Sequence, residues 1–152
     1  MDESDAASDD FVYVKPPYEL IDHTADLGMI VKGQNIERLF ENAGLALFDL
    51  LTTVTLVRPN SKWSVSLRAE NLDALLVEWL RELLYLFYGK KRLLCAFETD
   101  ELTETSLEVT CWGERYDPGR HTLLTEIKAV TYHELAITRK DSGWSAQVIF
   151  DI

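Results

Sequence analysis

LDALLVEWLRELLYLFY, residues 72–88, is the stretch whose reading decides the fold. It is the most apolar part of the chain and close to the length of a membrane span. Asp73, Glu78, Arg81 and Glu82 interrupt it, however, and a span needs roughly 18 or more apolar residues in a row. Its apolar positions Leu72, Leu75, Leu76, Trp79, Leu83, Leu86 and Phe87 recur at helical spacing, which predicts an amphipathic helix laid on a core. Asn71 supplies an N-cap, and Gly89 is the expected C-terminal stop.

Working outward, a second helix is predicted from Asn35 to Leu51. Ile36, Leu39, Phe40, Ala43, Leu47, Leu50 and Leu51 form one stripe there, with Asn35 as the cap. Between the helices, Trp63, Val65, Leu67 and Ala69 alternate with Ser64, Ser66 and Arg68, the pattern of a strand with one wet face. Upstream, Tyr18 to Ile21 and the alternating Leu27, Met29 and Val31 predict two short strands, joined by a loop of sequence DHTAD, residues 22–26. Downstream come candidate strands at 93–97, around Leu107, Val109 and Cys111, and at 126–131, 135–138 and 144–150. Asp117-Pro118-Gly119 and Asp141-Ser142-Gly143 are turns by residue type. Two helices followed by a run of hairpins imply an α+β fold, with two helices packed on a mainly antiparallel sheet.

Length and composition narrow the possibilities further. At 152 residues and 47% hydrophobic content the chain is expected to form a single domain over residues 17–152. An acidic leader, residues 1–16, is expected to lie outside it and to be disordered up to about residue 10. Net charge is −11, and five of the 26 acids fall in residues 1–10, leaving 21 against 15 bases. That balance argues against tight direct nucleic-acid binding, which needs a basic face, and suits a basic protein partner. The acidic N-terminus does not read as a signal peptide. Cys95 and Cys111 have neither a CxxC pattern nor metal-ligand spacing and read as reduced thiols, so the expected location is intracellular and cytoplasmic, away from any membrane.

The chemistry is concentrated at two distant points of the sequence. Asp22, His23 and Asp26 fall in the DHTAD segment, and Asp151 stands one residue before Ile152, whose main-chain carboxylate adds another acid. Phe150 and Ile152 flank Asp151 in a strand that stays apolar to its last residue, so this end is expected to be docked. If Asp26 approaches it, the cluster is either a divalent-cation site or a crowd of like charges. Oxygen ligands favour Mg²⁺, Ca²⁺ or Mn²⁺ over zinc. Lys128 is either a functional cation or an exposed strand residue. His133 either faces a partner or is an ordinary sheet histidine. His121 receives no role. No glycine-rich phosphate loop and no nucleophile motif is present, so neither a nucleotide cofactor nor a covalent nucleophile is expected.

Five blocks in order give the chain a family resemblance: YELIDHTAD at 18–26, IERLF at 36–40, WGE at 112–114, EIKAVTYH at 126–133 and VIFDI at 148–152. Together they resemble the archease family. The resemblance implies an archease-like α+β protein with no catalytic residue of its own. It would act as a protein cofactor of an RtcB-type RNA ligase in tRNA splicing and RNA repair, promoting histidine guanylylation and multiple turnover. It also implies a divalent cation (Ca, Mg or Mn) held by Asp26, Asp151 and Ile152, with Asp22 and His23 in support and Lys128 and His133 as possible partner contacts. Competing readings are a stand-alone metal-dependent hydrolase, a chaperone-like modulator of RNA-modifying enzymes, and an ion that merely ties down the C-terminal strand.

Overall fold

The computed structural model describes residues 16–23, 26–140 and 142–152, with only the backbone of Asp22 and His23. The expected leader, apart from Pro16, lies outside the described residues. Among the described residues seven strands and two helices follow in the order β1 (Tyr18–His23), β2 (Asp26–Gly33), α1 (Ile36–Leu51), β3 (Ser61–Arg68), α2 (Leu72–Tyr88), β4 (Arg92–Leu102), β5 (Ser106–Arg115), β6 (Ala129–Lys140) and β7 (Gly143–Asp151). A 3₁₀ turn at Val54–Leu56 follows α1. The strands form a four-stranded sheet, β1-β2-β7-β6, and a three-stranded one, β3-β5-β4, with every pairing antiparallel. The α+β expectation holds.

Both helices start where their caps predict: Asn35 Oδ1 accepts from Arg38 N–H and Asn71 Oδ1 from Ala74 N–H, each at 2.8 Å. Each helix also touches both sheets, α1 through β2, β7 and β4, and α2 through β6, β3 and β4. A helix held between two sheets is buried on more than one stripe, which explains why α1 buries Glu41, Asn42 and Gly44 beside its apolar positions. Glu41 is satisfied there by Arg38 Nη1, by the Thr99 N–H at 2.9 Å and by the Thr99 hydroxyl at 2.8 Å. At the centre of the core, fully buried Trp79 of α2 meets Phe97 edge-on and donates its indole N–H to the Phe40 carbonyl at 2.8 Å.

Three local expectations are revised. The link between β1 and β2 is shorter than a five-residue loop, because Asp22 and His23 complete β1 and Asp26 begins β2. Gly89 caps α2 as expected, in a right-handed conformation (φ −87°), and Lys91 beyond it is left-handed (φ 59°). Strand β4 runs to Leu102, five residues beyond the apolar run that announces it. The strands expected at 126–131 and 135–138 are one strand starting at Ala129, interrupted by an irregularity. Its register jumps from Thr131↔Ile149 to Ala136↔Gln147, with Glu134 at φ 53°. The core-facing parity switches across the irregularity, from Val130 to Ile137, so a period-two pattern reads two strands where there is one.

Both thiols are free. Burial, with Glu114 nearby, pushes Cys95 up to about 12, and burial, with Asp100 nearby, does the same for Cys111. At pH 8 the thiolate fraction is then on the order of one in ten thousand. Titration with a thiol-selective disulfide reagent is expected to leave Cys111 silent in the native protein and to count both thiols after unfolding. A fast native reaction at Cys111 would contradict the packing around it.

Candidate metal-binding end of the four-stranded sheet

Strand pairing brings the two ends of the sequence together. Asp26, the first residue of β2, stands directly opposite Asp151, the last residue of β7. On its other side Asp26 is paired with His23 of β1, and Asp151 is paired with Ala129 of β6. One row across the sheet therefore reads His23, Asp26, Asp151, Ala129. The chain end is tied down as expected, since Lys128 N–H donates to the Asp151 carbonyl at 2.7 Å.

Alternation explains why the row faces away from the core. In β2, Met29 and Val31 are buried, and their partners Val148 and Ala146 in β7 are buried with them. Asp26 and Asp151 have the opposite parity and sit on the outer face. Directly opposed residues place their Cβ atoms roughly 4.5–5.5 Å apart, where like charges repel. The same spacing lets two carboxylates share one cation, and their donors are all oxygen, the kind hard divalent ions take. Among the described residues, which exclude the Asp22 and His23 side chains, no group of three His, Cys, Asp or Glu forms a ready metal cluster. Asp22 pairs with Leu27 and so lies one step off the row.

The other two candidates are placed differently. Lys128 is exposed and adjoins the row through its bond to Asp151. His133 lies in the irregular part of β6, with 62% of its side chain exposed, and Glu134 is 4.0 Å away. It belongs to the edge of the sheet beside the acidic row, not to the row itself.

A second polar cluster has no counterpart in the sequence reading. Glu114 of β5 accepts from the Arg58 N–H at 2.8 Å, from Arg120 and from His121 Nε2 at 2.9 Å. The Asp117 N–H donates to His121 Nδ1 at 2.9 Å, which leaves Nε2 as the nitrogen that donates to Glu114. The only signal was a histidine two residues after Asp117-Pro118-Gly119, too common a spacing to read. Burial alone would raise the Glu114 carboxyl, but its bonds to Arg120, Arg58 and His121 outweigh that and hold it below 4.5. Its stabilisation is therefore complete above pH 4.5 and is lost as pH falls through the lower folded value. Glu114→Gln is expected to lower the melting temperature at pH 7 and to flatten its decline in acid. An unchanged acid limb would mean that other carboxylates carry it.

Comparison with known proteins tests the resemblance. The archease protein family model matches residues 18–152, from the first residue of β1 to the end of the chain. The chain belongs to the archease family. A protein archease from Methanosarcina mazei is 40% identical over 139 residues, covering 89% of this chain and 95% of the relative. One from Sulfurisphaera tokodaii is 35% identical over 137 residues, covering 89% and 98%. Among solved structures, Methanobacterium thermoautotrophicum protein 1598 superposes with a TM-score of 0.74 at 34% identity, covering 89% of this chain and 98% of that one. An archease from Thermotoga maritima, described as a possible chaperone, shares the fold with a TM-score of 0.61 at 22% identity, covering 93% and 99%. The archease match leaves out only the start of the sequence, and it includes both halves of the acidic row.

Proposed function

We propose that this archease is a non-catalytic protein cofactor of an RtcB-type RNA ligase, and that it works through a divalent cation held at the acidic end of the four-stranded sheet. The observation that carries the reading is the Asp26↔Asp151 pairing, which brings two carboxylates 125 residues apart in sequence to one point on the outer face. Family membership supports it by covering both aspartates in one match. Asp26, Asp151 and the Ile152 carboxylate are the proposed ligands, with His23 beside Asp26 in the row as a supporting group, while Asp22, paired with Leu27, has the opposite parity. The cation supplies charge to be shared with a triphosphate or a carboxylate of the partner.

The residues of the chain do the rest. Lys128, just ahead of β6, adjoins the acidic row, and His133 lies further along that edge strand, where the two are positioned to contact the ligase and set the approach of the acidic end. A net charge of −11 favours association with a basic RNA-binding protein and makes it sensitive to salt. The deciding experiment is ligase guanylylation and RNA joining with and without this chain. Stimulation beyond one turnover per ligase supports the proposal. Ligase activity indifferent to the chain rejects it, and suppression of aggregation of an unrelated enzyme without metal would then favour a chaperone role.

A further inference from the structure

At the opposite end of the same sheet, seven residues along β2 and β7 from the acidic row and so about 23 Å away, a cleft of about 720 Å³ opens between the strand ends and the start of α1. Its size falls within the roughly 300–1,000 Å³ of small-molecule sites. Lys32, Arg38 and Lys140 line it, and among the described residues no carboxylate does, in a chain with 26 acids and 15 bases. Arg38 pairs with Glu41 through Nη1 yet keeps 60% of its side chain exposed.

Asn42 lines the cleft from α1 and is only 7% exposed. Its Nδ2 donates to the Lys32 carbonyl at 2.8 Å. Among the described residues this is the one hydrogen bond of its amide, so a second N–H and the amide oxygen remain for a ligand, and a buried amide left so is costly. The positive end of α1 adds to the field of the three cations. Val54, Val57 and Phe97 make the opposite wall apolar. Shape is fixed by close backbone contact: a Cβ on Gly33 would meet Leu39 N at 2.4 Å, and one on Gly143 would meet the Gly33 carbonyl oxygen at 2.6 Å.

We propose that this cleft binds a small phosphomonoester with an apolar or aromatic body, the nucleoside monophosphate class. The phosphate meets Lys32, Arg38, Lys140 and the Asn42 amide, and the body lies on the wall of Val54, Val57 and Phe97. The site is independent of the acidic end and of any ligase.

The test is calorimetric titration of the full chain with AMP, adenosine and inorganic phosphate, repeated on the double variant Lys32→Gln/Lys140→Gln. Both lysines are exposed, so the variant is expected to melt with the wild type. AMP is expected to bind saturably at one site, at least on the order of tenfold more tightly than adenosine or phosphate alone, and about tenfold more weakly to the variant. Three results would each overturn the proposal: no saturable AMP binding up to about 5 mM, affinity unchanged in the variant, or phosphate binding as tightly as AMP.

Discussion

Asp26→Ala and Asp151→Ala are each expected to abolish stimulation of ligase guanylylation while leaving the cation-free protein folded. The two halves of this expectation come from the same pairing. Without a cation, directly opposed carboxylates cost a few tenths to about 1 kcal/mol, too little for the loss of either to unfold the domain. With a cation, each aspartate is a ligand, and losing one from a set of three removes the charge on which the proposed activity depends. A merely structural ion would behave differently, since activity would then fall only as far as thermal stability fell. Full stimulation by both variants would remove the acidic end from the function.

The largest effect on stability is expected at Trp79. Trp79→Ala is predicted to cost about 3–5 kcal/mol, the range for deleting a fully buried large aromatic. The side chain is 0% exposed, packs edge-on against Phe97 at 5.4 Å between ring centroids, and donates its indole N–H to Phe40. It therefore joins α2 to both α1 and β4, and a domain of this size has only roughly 5–15 kcal/mol to lose. Trp79→Phe keeps much of the volume and loses the hydrogen bond, so it should fall between wild type and alanine. Chemical denaturation of the three proteins checks the order. A Trp79→Ala cost below about 1 kcal/mol would mean that the helices do not meet as described.

How much of this was legible in the sequence depends on how local each signal is. The helix starts were, because Asn35 and Asn71 cap through side chains reaching only three residues ahead. The second face of α1 was not: Glu41 and Asn42 are buried by β4 and β2, which lie elsewhere in the chain. The break in β6 showed in the sequence as a gap between two strands, but the continuity across it did not, since only the register against β7 reveals it. Asp26 and Asp151 could each be nominated from sequence, one in a motif and one beside a strand end. That they stand opposite each other is a property of the β2–β7 ladder. The Glu114–His121 cluster and the cationic cleft had no readable signature, because their residues come from separate elements and are individually ordinary.

The cation itself gives the most direct test. Calcium, magnesium and manganese titrated by calorimetry into the wild-type chain, and into Asp26→Asn and Asp151→Asn, should show one saturable site in the wild type for at least one ion. Either asparagine variant should weaken that site by on the order of a hundredfold. A wild-type chain that binds none of the three ions, or variants that bind as well as the wild type, would contradict the assignment of the paired aspartates as a metal site.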